Sequence, residues 1–366
     1  MTPSTYADKD RLTSAMSSSD KLAGTLDRLR ADLQSRPFIP PRLLAQGDLQ
    51  TIGAFFWPGR FRSRDLTGDE RRLFAVEPGS QVLGRCRWQE HRTEHATLVM
   101  WHGIEGSSAS AYMLSTAAKA FRAGFNVVRM NVRNCGETDD LTPTLYHAGL
   151  TNDARIVIDE LINKDGLARI IVVGFSLGGN QVLKLGGEYG DSPPSELKAL
   201  AAISPSIDLH ASSDRLTAKR NWPYQQQFLN ALKRRIKNKE RLYPELYQVN
   251  GLHRLKTIRA FDDKYVAPAF GFAGADDYYT KASSLPHLKH IRVPTLIIHA
   301  QDDPFIPFAP LLDPAVAANP HLLLLAPERG GHVAFISGTT SDGEDRFWAE
   351  NRLIDFCRGV AVWLTS

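Results

Sequence analysis

The stretch Ile170-Ile171-Val172-Val173-Gly174-Phe175-Ser176-Leu177-Gly178-Gly179-Asn180 decides how this chain is read. A β-branched run enters a G-x-S-x-G sequence and leaves through Gln181-Val182-Leu183-Lys184-Leu185, which continues as helix. That is the spelling of a nucleophile elbow, a serine on a tight strand-to-helix turn. Gly174 and Gly178 let strand and helix pass closely, while the serine takes a strained backbone conformation. Ser176 Oγ then stands clear of the sheet at a helix N-terminus, where unpaired N–H groups and the positive dipole end favour developing negative charge. The same five residues also arise by chance in glycine-containing loops. The reading therefore depends on finding an oxyanion partner, an acid and a base elsewhere.

Each has a counterpart. Upstream, Leu98-Val99-Met100-Trp101-His102-Gly103-Ile104-Glu105-Gly106 places a glycine-rich turn directly after a buried strand. Such a turn supplies one oxyanion donor, here the Ile104 N–H, and the Leu177 N–H after the serine supplies the other. Downstream, Thr295-Leu296-Ile297-Ile298-His299-Ala300-Gln301-Asp302-Asp303 is a strand ending in two acids. An acid in that loop orients a histidine and stabilises its imidazolium. Asp303 is favoured, three residues after the small residue that closes the strand, with Asp302 as the alternative. The base follows in Glu328-Arg329-Gly330-Gly331-His332-Val333. His332 completes the chain order Ser, Asp, His. His102 reads as a residue that orients its loop.

The rest of the chain fits one large α/β body with an insertion. Its 366 residues are 43% hydrophobic, enough for a substantial core. The net charge of +4 is too small over this length to argue for nucleic acid. Three widely spaced cysteines, Cys86, Cys135 and Cys357, without C-x-x-C pairing, exclude a disulfide framework or thiolate zinc site and point to a reducing, cytoplasmic setting. Residues 1–19 read as a disordered tail, and no stretch is apolar for long enough to cross a bilayer. From Asp20, Leu22, Leu26, Leu29 and Leu33 recur at helical spacing until Pro37. Phe38 to Pro58 reads as an irregular arm. A hairpin over 72–76 and 82–88 is followed by strands over 96–101, 125–132, 170–175, 199–203, 295–299 and 322–325, alternating with helical patterns, and a last helix over 346–364. This rhythm predicts a mostly parallel sheet with helices on both faces, built from residues 20–204 and 291–366. Residues 205–290 break it with helical, basic and aromatic sequence and read as a helical cap over the strand ends. Its Trp222, Phe272 and Tyr278 are candidate substrate-binding residues, with Tyr224, Phe228, Phe270 and Tyr279. Lys233-Arg234-Arg235-Ile236-Lys237-Asn238-Lys239-Glu240-Arg241 reads as a solvated cap face, or as a peripheral contact with anionic lipid.

Taken together, these residues resemble an α/β hydrolase of the YheT-like branch, which also holds the mammalian ABHD-type lipid hydrolases and yeast medium-chain ester synthases. The resemblance runs from about Pro40 to Ser337. It includes Gly47-Asp48-Leu49-Gln50-Thr51, His102 to Ser107, Asn131 to Thr138, Leu145 to Gly149, the elbow, Phe261-Asp262-Asp263, Tyr278-Tyr279 and Gly330 to Val333. It departs from the family at Asp48, where histidine is usual, and at Asn134, where glycine is usual. The implied fold is the α/β-hydrolase fold. The implied activity is hydrolysis of short- to medium-chain or lipid carboxylic esters by a Ser176–Asp303–His332 triad, with no cofactor and no metal. Acyl transfer to an alcohol uses the same residues. A catalytically silent binding or scaffold protein is the reading from another class.

Overall fold

The computed structural model describes residues 18–57, 69–341 and 343–363; the expected N-terminal tail lies outside the described residues up to position 17. Eight strands form one sheet: β1 (Glu70–Glu77), β2 (Ser80–Arg87), β3 (Thr97–Trp101), β4 (Asn126–Asn131), β5 (Ile170–Phe175), β6 (Leu197–Ile203), β7 (Thr295–Ile298) and β8 (Leu322–Leu325). Their spatial order is β1-β2-β4-β3-β5-β6-β7-β8. β2 runs antiparallel to both of its neighbours, and every other pair is parallel.

Parallel strands covered on both faces read as unbroken apolar runs, and β5 divides its side chains accordingly. Ile170 and Val172 enter one apolar layer; Ile171, Val173 and Phe175 enter the other. Helices α1 (Ser18–Gln34), α2 (Gly47–Phe56), α3 (Ala111–Arg122), α4 (Asn152–Asn163) and α5 (Leu177–Tyr189) come before β6. The first layer takes Val157, Ile158 and Leu161 from α4 and Val182, Leu183 and Leu185 from α5. The second takes Leu26 and Leu33 from α1 and Met113, Ala117 and Ala120 from α3. Each fully buried aliphatic side chain contributes about 2 kcal/mol to holding these layers.

Between β6 and β7 the described residues form only helices and turns: α6 (Leu209–Thr217), α7 (Trp222–Leu242), α8 (Ile258–Phe261), a π-helical turn over Asp262–Val266, α9 (Ala267–Ala269) and α10 (Ala275–Ala282). They share a third apolar cluster with Leu145 and Ala148 of the body. Leu288, inside the expected insertion, belongs instead to the first sheet layer. Helix α11 (Pro314–Ala318) precedes β8, and α12 (Trp348–Trp363) closes the chain, burying Leu353, Phe356 and Val360 in the second layer.

The arm differs from its expectation. Residues 47–56 form helix α2, whose buried side is made of Gln50 and Ala54, while Leu49 and Ile52 face solvent. Because its inward stripe is small and polar, it carries no apolar helical period.

Candidate active site

The turns that follow β3, β5, β7 and β8 meet at the carboxyl ends of the parallel strands, where open α/β sheets hold their ligands. Ser176 is the N-cap of α5, with φ 54° and ψ −118°. For a residue with a side chain this left-handed backbone is costly, and it persists only where the surroundings force it. Here the forcing is steric: a Cβ on Gly174 would lie 2.2 Å from the Gly178 carbonyl oxygen, and one on Gly178 2.5 Å from that of His102. Ser176 is mostly buried, at 9% exposure.

The two acids after β7 separate cleanly. Asp303 is fully buried, and His332 Nδ1 donates to its Oδ2 at 2.8 Å. Its Oδ1 accepts from the Phe305 and Ile306 N–H groups at 2.8 and 3.0 Å. Burial pushes this carboxyl up, but the charge and hydrogen bond of the facing His332 outweigh it, leaving the group below the usual carboxylate range. Asp302 turns the other way and accepts the Gly331 N–H at 3.0 Å. It fixes the Gly-Gly turn before His332.

That turn has a second support, which the sequence conceals. The His332 N–H donates to Thr51 Oγ1 at 2.9 Å, and Thr51 in turn donates to the Gly47 carbonyl at 2.7 Å. Gln50, fully buried, accepts the Ile336 N–H at 2.8 Å and donates to the Ile336 and Leu44 carbonyls. Helix α2 is thus a clamp on both sides of His332. Its signal in the sequence was the Gly47 to Thr51 stretch, whose part in the site only the fold discloses.

Gly103 lies against the serine: a Cβ there would sit 2.9 Å from Ser176 Cβ. The Ile104 turn is pinned by fully buried His102, whose Nδ1–H donates to the Gly103 carbonyl at 2.7 Å and whose Nε2 accepts the Val132 N–H at 3.2 Å. Burial lowers its pKa to about 4, so the ring is neutral. Asn134 has φ 62°, which accounts for the glycine usual there, since asparagine tolerates this region better than most residues. Asp48, the other departure, pairs with Arg220 at 2.9 Å and accepts from Tyr224 Oη at 3.3 Å, tying α2 to the start of α7.

Ser176, Ile104, Leu177 and His332 line one cavity of about 100 Å³, to whose wall the helices inserted after β6 contribute. Leu209, Leu216, Phe228, Leu232 and Phe261 make most of its wall apolar. Tyr278 lines it, and Tyr278 Oη accepts the Ala148 N–H at 2.9 Å. Phe228 and Tyr279 line the cavity as well, but four expected lining residues, Trp222, Tyr224, Phe270 and Phe272, lie elsewhere. Trp222 is 61% exposed at the start of α7. Phe272 packs its ring on His147 and Tyr278, with centroids 5.3 and 5.4 Å away, behind the wall. Conversely, Asp262 lines the cavity: it accepts from Tyr279 Oη at 2.7 Å, and burial raises its pKa to about 7.

The basic run of α7 does not form one solvated face. Arg235 is buried, and Lys239 is fully buried with its Nζ donating to the Asp139 and Thr142 carbonyls. Lys233 donates to the Leu255 carbonyl, so that Arg234, Lys237 and Arg241 are left facing solvent. Half of the run's cations are thus engaged by the protein itself and half remain at its surface. Among the described residues no cluster of three or more His, Cys, Asp or Glu is gathered to hold a metal.

Residues 96–339 match the α/β hydrolase fold family. The chain is 34% identical over 337 residues to YheT of Escherichia coli K12, which carries the name of an esterase, covering 91% of this chain and 94% of that one. The chain belongs to the α/β-hydrolase family. Within it, this hydrolase is also 29% identical over 309 residues to medium-chain fatty acid ethyl ester synthase/esterase 2 of Saccharomyces cerevisiae, covering 77% of this chain and 66% of that one. Among solved structures, the esterase Pf2001 of Pyrococcus furiosus superposes with a TM-score of 0.53 at 16% identity, covering 81% of this chain and 94% of that one. That likeness carries the fold alone.

Proposed function

We propose that the protein is a serine hydrolase that cleaves carboxylic esters, with Ser176 as nucleophile, His332 as base and Asp303 as the acid that orients it. The observation that carries this is that buried Asp303 lies 2.8 Å from His332, which lines the same cavity as Ser176. His332 Nδ1–H is engaged by Asp303, so Nε2 is the nitrogen that takes the Ser176 proton as Oγ attacks the ester carbonyl. The carbonyl oxygen becomes an oxyanion held by the Ile104 and Leu177 N–H groups, each donor being worth about 3 kcal/mol in the transition state. His332 then returns its proton to the leaving alcohol, which departs. Water attacks the acyl-Ser176 ester and gives its proton to His332, and the second tetrahedral intermediate collapses to the carboxylic acid as His332 returns that proton to the departing Ser176 Oγ. Throughout, Asp303 stays ionised, consistent with its lowered pKa.

The apolar wall favours an acyl chain over a polar acyl group, and the narrowness of the cavity favours short to medium chains. Three free, buried cysteines support a reducing, cytoplasmic setting, and no described helix is long and apolar enough to cross a membrane. The test is turnover of aryl esters of increasing acyl length by the wild type and Ser176→Ala. A chain-length optimum with turnover lost in the variant is expected; retained turnover in Ser176→Ala refutes the mechanism.

A second reading, acyl transfer to an alcohol, draws on the apolar cavity around a nearly buried Ser176 and on the likeness to the yeast synthase/esterase. Measuring acid against new ester at rising alcohol concentration separates the two readings. Product that is almost wholly new ester assigns the transferase.

A further inference from the structure

The turn that carries the Ile104 amide is held from outside the sheet. Glu105, the next residue, has φ 55°, a backbone region that a glutamate keeps only under outside constraint. Its N–H donates to Tyr146 Oη at 3.1 Å, and its Oε1 accepts from the same hydroxyl at 3.1 Å. The charge on that carboxylate is met by Arg235 Nη2 at 2.7 Å. Arg235 comes from the middle of α7, in the segment inserted after β6, and its side chain is 7% exposed. The guanidinium lies 4.9 Å from the centre of the Tyr146 ring and reaches the Arg133 carbonyl at 3.4 Å and Cys135 Sγ at 3.2 Å. Arg235, Tyr146 and Ile104 all line the cavity that holds Ser176.

We propose that Arg235 is a positioning residue for ester cleavage: through Glu105 and Tyr146 it fixes the turn that aims the Ile104 N–H at the oxyanion, so the site is competent only with α7 seated. The proposal rests on the reading of Ile104 as an oxyanion donor. Its physical basis is that a partly buried carboxylate stripped of its cation must find water or another partner. Glu105 has a strained backbone and one further tie, the tyrosine hydroxyl. When Glu105 relaxes, the Ile104–Glu105 peptide turns with it, and the Gly103–Ile104 peptide that bears the Ile104 N–H is hinged to that peptide at the Ile104 Cα. An oxyanion donor acts through its aim, and substrate affinity depends on it far less.

A role confined to holding α7 on the body predicts something different: lower thermal stability and weaker substrate binding, with turnover per folded site intact. The experiment compares Arg235→Met, Glu105→Gln and the double variant with wild type on one short aryl ester, counting competent sites by active-site titration with a fluorophosphonate. Affinity for an aryl boronic acid, which forms a tetrahedral anion on a serine, is read alongside. Arg235→Met is expected to lower kcat by about 10²-fold, the scale for a misplaced catalytic group, with KM little changed and boronate affinity lost in parallel. Because the arginine acts through Glu105, the double variant is expected to be no slower than the slower single variant. Tyr146→Phe, which removes only the hydroxyl, is expected to lower kcat in the same sense and covers the case where Arg235→Met folds poorly. Unchanged kcat per titrated site, a loss carried wholly by KM, or additive losses in the double variant would each overturn the proposal. Ser176→Ala runs beside them. If it retains turnover, the ester-cleavage mechanism falls and this inference with it; if it is dead while Arg235→Met and Tyr146→Phe are fully active, only this inference falls.

Discussion

Asp262→Asn isolates the energetic consequence of an acid in an apolar cavity. Burial raises the Asp262 carboxyl from its ordinary value of 3.8 to about 7, against the opposing hydrogen bond from Tyr279. The unfolded chain therefore releases this proton near its ordinary value, while the folded chain keeps it to about pH 7. The contribution to stability is present in full below the unfolded value and declines as pH rises, until the folded group has ionised as well. At about 1.4 kcal/mol per tenfold change in proton affinity, the decline is about 4 kcal/mol between roughly pH 4 and pH 8. Asparagine has no proton to lose at this position and retains a partner for the Tyr279 hydroxyl. Its own packing effect is the same at every pH, so the quantity to follow is the variant's stability minus that of wild type. This difference is expected to rise by about 4 kcal/mol across the window, read by urea unfolding at several pH values. Parallel stability curves for the two proteins would refute the reasoning. Because Asp262 lines the cavity, a further consequence falls on catalysis: KM for a long acyl ester is expected to climb above about pH 7 in wild type and to stay flat in the variant.

Asp303→Asn keeps the shape of the acid and removes its charge; kcat is expected to fall by about 10⁴-fold, because the amide favours the wrong imidazole tautomer, with little change in KM. Steady-state kinetics read both parameters, and a loss confined to KM would contradict the assignment. Thr51→Val leaves the His332 N–H without its 2.9 Å acceptor. It is expected to cost about 1–3 kcal/mol in unfolding experiments and to lower kcat, whereas a change in stability alone would reduce α2 to a scaffold. Trp222→Ala, at a 61% exposed side chain outside the cavity wall, is expected to move stability by no more than about 0.5 kcal/mol and to leave KM unchanged across the ester series.

What the sequence disclosed and what it hid follow one physical division. The inner parallel strands such as β5 were legible because they cover both faces with β-branched and aliphatic residues, and the elbow because its glycines answer a steric demand that can be read locally: 2.2 Å from a hypothetical Gly174 Cβ to the Gly178 oxygen leaves no alternative. The places of Ser176, Asp303 and His332 were legible for a similar reason, since each stands just past a recognisable strand end. Helix α2 was hidden because its inward face is Gln50, Thr51 and Ala54, residues that work through hydrogen bonds to a loop at the far end of the chain. Arg235 was hidden among basic neighbours, which made it read as one more solvated charge, while Trp222 stood out by size and proved to be surface. Both misreadings have one source. Residue type predicts burial well for a β-branched run and poorly for a long cation or an indole, whose environments are decided by a single partner. Glu105 is that partner for Arg235, and it sits in the very turn the opening motif required. The elbow names the atom proposed to attack; the aim proposed for the Ile104 amide rests on a charge pair joining two segments far apart in the chain, and only folding could bring that pair together.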